Sequence, residues 1–390
     1  MPKARVAIVH PGMGLGGSES PVLWTIQALK NDYDVTLITT GKIDLGGLNS
    51  YYGTRLAPED FSIQYAPLPM GLRSTAKFAG LKSSFFQRYV RRKAGDFDVV
   101  ISGYGPMDFG ERGIQMIADF AFVEEWRFSL HPGVRSWKQW WYGRSPVRRV
   151  YLNLCAMVFS GSPGSMERNL TLANSNWAAK LLQEKFGIKS VTLYPPVEKN
   201  FPSVDFAERD NGFVCLGRIS AEKRVDASIE ILSRVRQRGH DIHLHILGGV
   251  DDSPYGALVK SLADQNRDWV FLEGWAIGDR KKQLLVGHRY GIHGRENEPF
   301  GIAVGEMVNA GCIVFVPNGG GQVEIVDHPA LVFRDDADAV EKIDSVLKSS
   351  AEQEKLRNHL RQSTNRFAPD NFQAQIHQVV KEFLSEKNAA

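Results

Sequence analysis

The stretch ENEPFGIAVGEMVNAG, residues 296–311, sets one carboxylate just before a helical pattern and another inside it. Glu298 precedes the helix. Glu306 follows eight residues later, close to the same face because an α-helix turns every 3.6 residues. The amides of Phe300, Gly301 and Ile302 open the helix, where N–H groups have no partner within it. Such a carboxylate can accept hydrogen bonds from sugar hydroxyls while the amides face anionic oxygen. Val304 and Met307 flank Glu306; if buried, it needs partners, and a ribose diol would supply them. The plain alternative is a capped surface helix whose Glu306 faces water. Glu296 is the other register for the first acid, but EPFG favours Glu298.

Three further stretches have related chemistry. In LGRISAEKRVD, Arg218 and Lys223 lie five apart in a loop between a strand and a helix. Two cations there suit a diphosphate, most of all one that gains charge as a leaving group. They could equally be solvated charges at a helix start. In PNGGGQVEIV, Gly319 to Gly321 lead into a short helix, a weak second candidate for a phosphate cradle. In GMGLGGSE, residues 12–19, Gly16 and Gly17 lie where backbone N–H groups could meet a phosphate or an acceptor, or simply make a tight turn. Gly12, Gly14 and Gly17 satisfy G-x-G-x-x-G. The following strand, YDVTLITTG, ends without the acid that a nicotinamide dinucleotide ribose needs.

The elements that must position these residues alternate strand and helix along the whole chain. RVAIVH, YDVTLITTG, FDVVISG, GIQMIADFAF (to Phe120 or Phe122) and SVTLYPPV predict strands. SPVLWTIQALKN predicts a helix, and LTLANSNWAAKLLQEKFGI a strand, a cap at Asn174-Ser175 and a helix. A second series runs from GFVCLGRI through DIHLHILGG, WVFLEGW, CIVFVPN and ALVFR, with helical patterns between. The polar, turn-rich stretch near 196–211 divides the two. The fold class expected is α/β, with two open Rossmann-like sheets facing each other across a cleft and ligands beyond the strand C-terminal ends. The domains expected are 1–196, 197–370 and a C-terminal helix, 371–390, that could cross back to the first.

Composition narrows the function classes. A chain of 390 residues is too long for one ordinary core. With 43% apolar residues, 23% charged and a net charge of +3, it reads as globular and gives no reason to expect a nucleic-acid partner. Cys155, Cys215 and Cys312 sit in apolar settings and read as buried free thiols. No Cys or His spacing matches a zinc motif, so no metal is expected. The N-terminus does not read as a signal peptide and no stretch reaches membrane-span length, so a cytoplasmic protein is expected.

Taken together, HPGMGLGGSE, LANSNWAAKLL with LYPPV, GRISAEKRVD and EPFGIAVGEMVNAGCIVFVPNGGGQVEIV resemble the retaining glycosyltransferases of the GT-B fold, family 4. The resemblance covers both halves. It implies a nucleoside-diphosphate sugar donor, GDP- or UDP-linked, bound by the C-terminal half without a metal, and a hydroxyl acceptor bound by the N-terminal half. It places Arg218 and Lys223 on the donor diphosphate, Glu298 at the transferred sugar, Glu306 at the ribose, and Gly16 and Gly17 near phosphate or acceptor. It implies retention of the anomeric configuration by front-face attack, with Glu298 not required as a nucleophile. The family's N-terminal-domain histidine has no match in IQMIADFAF, which offers Asp119 as the acceptor-side candidate; His131 lies farther on. The opening and TLYPPV also partly resemble mannosyltransferases that extend lipid-linked oligosaccharides.

Two stretches combine aromatic and basic residues. One is 85–93, with Phe85, Phe86, Tyr89 and Val90 beside Arg88, Arg91, Arg92 and Lys93. The other is 136–150, with Trp137, Trp140, Trp141 and Tyr142. They suit an anionic lipid surface at the inner face of a membrane, a lipid-linked or polysaccharide acceptor, a homo-oligomer contact, or ordinary core and surface. Competing functions are a nucleotide-sugar 2-epimerase, a nicotinamide enzyme and a non-catalytic sugar-nucleotide binder.

Overall fold

The computed structural model describes residues 2–73, 78–120, 146–159 and 163–389. The chain forms two compact units. The first holds the N-terminal residues to Pro196 together with Pro369–Ala390, and the second holds Val197–Ala368.

In the first unit, seven parallel strands run in the order β3-β2-β1-β4-β5-β6-β7. They are β1 Arg5–Val9, β2 Asp34–Thr39, β3 Ser62–Tyr65, β4 Val99–Ser102, β5 Ile114–Ile117, β6 Leu170–Ala173 and β7 Ser190–Thr192. The central strands are apolar throughout because parallel strands are covered on both faces; β4 and β5 are buried at every position. Helix α1, Glu19–Leu29, packs through Val22, Leu23, Ile26 and Leu29. Helix α2 is Leu45–Tyr52. Helices α3, Ala79–Lys93, and α4, Pro146–Phe159, pack together. Helix α5, Asn176–Phe186, is capped by Ser175, whose side chain accepts from the Ala178 amide. A last helix, Pro369–Ala389, seats Phe372, Ile376, Val380 and Phe383 in the core that includes Val6, Ile8 and Leu23.

Two expectations change here. The strand predicted through residue 120 stops at Ile117. Beyond it the Asn174 side chain donates to the Ala118 carbonyl, and Phe120 packs edge-on against Trp177, so this backbone leaves the sheet. Of the aromatic-basic stretch at 85–93, Phe86 and Val90 are core residues, 1% and 0% exposed, and Arg91 pairs with buried Asp108 at 3.5 Å. The rest of that stretch is at least partly exposed. His131, Trp137, Trp140, Trp141 and Tyr142 lie outside the described residues.

The second unit is a six-stranded parallel sheet in the order β10-β9-β8-β11-β12-β13. Its strands are β8 Asp210–Leu216, β9 His243–Leu247, β10 Val270–Gly274, β11 His288–Ile292, β12 Ile313–Pro317 and β13 Val332–Phe333. Its helices, continuing as α6 to α12, are Val225–Arg236, Pro254–Gln265, Gly278–Gly287, Ile302–Asn309, Gln322–Val326, Asp336–Leu347 and Ser350–Ser363. Strand order reverses beside β1 and β4 in the first sheet and beside β8 and β11 in the second. The C-terminal ends of those strands are where such sheets open a crevice. Cys155, Cys215 and Cys312 are buried free thiols; burial pushes Cys215 and Cys312 up to about 12, so both stay protonated and inert at neutral pH.

Candidate functional site

In the second unit the site gathers around Glu298, only 8% exposed. Three cationic or imidazole groups converge on its carboxylate. Lys223 Nζ donates to Oε2 at 2.5 Å, Arg295 Nη1 donates to Oε1 at 3.2 Å, and His293 Nε2 lies 3.2 Å from Oε2. Burial alone would raise the pKa of Glu298. Lys223, Arg295 and the His293 hydrogen bond outweigh it and hold the carboxyl well below its usual value. Burial lowers the pKa of His293, partly offset by Glu298.

Glycine and left-handed backbone bring these groups together. The turn Ala221–Lys223 approaches the end of β11 because residue 294 is glycine. A Cβ there would sit 2.6 Å from the Arg224 carbonyl and 2.8 Å from that of Lys223. Gly320 allows the Gly319–Gly321 loop to run beside Glu298, where a Cβ would meet the Glu298 carbonyl oxygen at 2.3 Å. The Gly321 amide donates to that carbonyl at 2.8 Å. The triple glycine therefore braces Glu298 by close backbone approach, and the helix after it has only five residues. Gln322 completes the brace, its side-chain amide donating to the Arg295, Pro317 and Gly319 carbonyls.

Arg224 and Asn297 both take left-handed conformations, at φ 48° and 52°. These are costly for residues with a Cβ and are held by surrounding contacts. Arg224 pairs with Glu296 and, at 3.4 Å, with Asp336. Glu296 is thus occupied by its own cation, and Glu298 is the acid at the centre.

The second acid is set apart from the first. Helix α9, Ile302–Asn309, starts after Gly301 at φ +101°; Ile302 is its first residue. Glu306 is partly buried and accepts from Lys281 Nζ at 2.9 Å. Lys281 is itself almost wholly buried, with its side chain 6% exposed. Phe300 is buried and packs edge-on against Phe367, so its side chain is core. Arg218 stands at the end of β8 with its side chain 70% exposed, and Glu222 is 3.8 Å away. Lys223 and Glu298 are therefore directly bonded, Glu306 has a separate lysine, and Arg218 faces solvent.

In the first unit, Gly16 and Gly17 are exposed in the loop between β1 and α1. Tyr52 donates to the Gly14 and Gly16 carbonyls at 3.0 and 2.7 Å, and Glu19 accepts from the Gly14 amide at 3.3 Å. A Cβ on Gly17 would meet nothing within 4 Å. Asp119 is exposed just past β5. Sequence reasoning missed His10, which is buried at the end of β1, 3.1 Å from the Ser18 hydroxyl and edge-on to Tyr104. Burial lowers its pKa, partly offset by Glu19. His293 was missed too. Both are the first polar residue after a buried strand, in VAIVH and GIH, and that is the signal that could have found them.

Comparisons with known proteins agree on the second unit. The family model described as glycosyl transferases group 1 matches residues 196–366. The human alpha-1,3/1,6-mannosyltransferase ALG2 is 26% identical over 382 residues, covering 89% of this chain and 88% of that protein. The Dictyostelium discoideum GDP-Man:Man(3)GlcNAc(2)-PP-Dol alpha-1,2-mannosyltransferase is 25% identical over 261 residues, 61% of this chain. The chain spans about half, 51%, of that relative's length. Among solved structures, sucrose-phosphate synthase from Thermosynechococcus elongatus aligns with a TM-score of 0.72 at 12% identity, covering 98% of this chain and all of that one. WaaG, a glycosyltransferase involved in lipopolysaccharide biosynthesis, aligns with 0.69 at 14%, covering 96% and 99%. At such identities the structures show the fold, which is GT-B.

Proposed function

From the premise that residues 196–366 form a group 1 glycosyltransferase domain in a GT-B chain, we propose that this protein transfers a sugar from a nucleoside-diphosphate sugar to a hydroxyl acceptor with retention of configuration. One observation carries the reading: a buried carboxylate, Glu298, held ionised by Lys223, Arg295 and His293 at the crevice end of β8 and β11. Such a cluster is costly to bury and gives the fold little that apolar packing would not. It does supply fixed charge where a sugar hydroxyl and a departing phosphate must both be met.

In this reading Arg218 and Lys223 receive the diphosphate. Arg218 reaches it from solvent, and Lys223 divides its donors between phosphate and Glu298. Glu298 accepts from hydroxyls of the transferred sugar, and the start of α9 at Phe300, Gly301 and Ile302 faces phosphate oxygen. Glu306, oriented by Lys281, accepts from the ribose diol. As bonds to the leaving diphosphate lengthen, its growing charge is met by Lys223 and Arg218, and it takes the acceptor proton on the same face. No carboxylate is needed as nucleophile, and Glu298 is poorly suited to be one while three partners hold its oxygens. The Gly16–Gly17 loop and Asp119 are the groups proposed for phosphate or acceptor contact from the first unit.

The relatives named for GDP-mannose chemistry favour GDP-mannose as donor and a lipid-linked glycan as acceptor. Helix α4 adds to the second point. Val147, Val150, Leu154 and Met157 recur along one face and are all exposed, beside Arg148 and Arg149. That pattern suits the surface of an anionic membrane. No described helix is long and apolar enough to cross one.

The test is a panel of nucleotide sugars scored by thermal protection and then by transfer to dolichyl- and polyprenyl-linked acceptors. GDP-mannose is expected to raise the midpoint most, by mass action. Protection by no nucleotide sugar would overturn the proposal. Release of epimerised free sugar without an acceptor product would favour the epimerase reading.

A further inference from the structure

The second unit brings together three histidines that take no part in the site above. His243 and His245 lie two apart on β9, so their side chains share one face of the sheet. His288 opens β11, two strands away, with β8 between them. Regular alternation back from Gly291, which pairs with Val214, would put residue 289 on that face. The register shifts between His288 and Tyr290, and His288 comes opposite Asp210 instead, on the face shared by Gly212 and Val214. The three rings then sit with centroids 4.6 to 5.2 Å apart.

The strand between them leaves the room. Gly212 pairs with His243, and a Cβ on Gly212 would fall 2.3 Å from His243 Nε2. One ligand atom from each imidazole lies within 4.8 Å of the others. A tetrahedral ion with bonds of about 2.0–2.1 Å sets its ligands roughly 3.4 Å apart, so modest ring rotations close the set.

The hydrogen bonds around the rings fix which nitrogen faces inward. His288 Nδ1 is 2.6 Å from the Leu284 carbonyl, which can only accept, so Nδ1 carries the proton. Its Nε2 is then a bare lone pair. It is buried, in a residue 4% exposed, and has no hydrogen-bond partner. His245 Nδ1 is 2.6 Å from Glu273 Oε1, and Glu273 is held in turn by Arg280 at 2.8 Å. A carboxylate or carbonyl behind the imidazole, as at His245 and His288, is the outer arrangement that orients metal-binding histidines. Asp210, at the start of β8, adds negative charge felt by His243 and His288, whereas Arg236 opposes it at His243.

We propose that His243, His245 and His288 bind one divalent transition metal ion, zinc by the chemistry of its ligands, with a fourth position left for water. The site lies toward the strand starts of the second sheet, whereas Glu298 follows the end of β11, so the ion serves the fold and not the transfer step. Sequence spacing could not show it, because the third ligand is 43 residues beyond the second and reaches the face only through the register shift.

The experiment uses the full chain without an affinity tag, stripped with chelator. It is titrated with Zn(II) by calorimetry and with Co(II) by visible absorption. One equivalent is expected to bind, giving a tetrahedral Co(II) spectrum and a raised thermal midpoint. H243A and H245A, at partly exposed positions, should each abolish saturable binding while circular dichroism shows the fold intact. E273Q should weaken affinity about 10–100-fold through loss of its hold on His245. E298Q should bind the ion like the unaltered chain, which separates this proposal from the one above. Absence of saturable binding by the folded chain would mean that the three rings are an aromatic stack only. Unchanged binding by the H243A/H245A double variant would place the ion elsewhere. Either result overturns the assignment.

Discussion

The two sheets reverse their strand order in the same way, yet their crevice ends are built from opposite materials. Beside β1 and β4 the groups are backbone carbonyls, Tyr52, Ser18, an exposed glycine loop, one carboxylate, Glu19, and His10, whose pKa burial depresses. Beside β8 and β11 they are formal charges: Glu298 against Lys223 and Arg295, Glu296 against Arg224, and Glu306 against Lys281. Topology offers a crevice, and the side chains decide what it can hold. An end dense in ion pairs suits a multiply charged ligand, whereas a loop with a single carboxylate suits a hydroxyl-bearing one.

The sharpest way to break this contrast is Glu298→Ala. It leaves Lys223 and Arg295 facing each other in a buried site, and removing one partner of such a cluster costs about 3–5 kcal/mol. Denaturant unfolding of the second unit should show that loss, together with abolished transfer. A variant as stable as the unaltered chain would mean that the cluster is solvated and the contrast is superficial. Lys223→Ala should lower kcat by about 10²-fold or more if its charge meets the leaving group. A change confined to KM would assign it to ground-state binding only.

Glu306→Ala should weaken every donor that carries a ribose diol by about 10–100-fold, the range for a hydrogen bond involving a charged group at about 1.5–3 kcal/mol. Unchanged affinities for all donors would remove Glu306 from the ribose. The effect of pH sharpens the comparison further. The folded-state pKa of Glu298 lies well below its ordinary 4.5, so the stability it contributes is present above 4.5 and is lost as pH falls through the folded value. The stability gap between the unaltered chain and E298Q should therefore hold at neutral pH and narrow only below about pH 4.5, as measured by urea unfolding across pH. The smallest effect belongs to the first unit. Gly17→Ala meets no atom within 4 Å and needs no positive φ, so stability should move by less than about 0.5 kcal/mol. Any loss of transfer would then report a ligand passing close to that backbone.

What the sequence revealed of this contrast depended on how local each feature is. The strands and helices were legible because buried parallel strands are continuous apolar runs and helix starts carry caps such as Ser175. The acid pair at 298 and 306 was legible because both residues lie on one short segment. Lys223, the most distant of the three partners of Glu298, is 75 residues away, and its placement depends on Gly294 and Gly320 allowing two backbones to touch. No spacing rule encodes that. Lys281 was read only as part of a helix, since nothing in KKQLL says which lysine turns inward. Phe86 and Val90 were offered to a lipid surface because basic neighbours disguise the apolar face of α3, and only packing shows that the face is core.

The closing helix, Pro369–Ala389, has a consequence for how the chain is made. Phe372, Ile376, Val380 and Phe383 finish the core of the first unit, yet they leave the ribosome after the whole second unit has been translated. At about 5–20 residues per second, that leaves Val6, Ile8 and Leu23 waiting roughly 20–70 s for their covering. During that time the second unit can fold by itself while the first stays open on one side. Nascent chains arrested before residue 369 should therefore be held by chaperones through their N-terminal half, and release should follow once residues 369–389 have emerged.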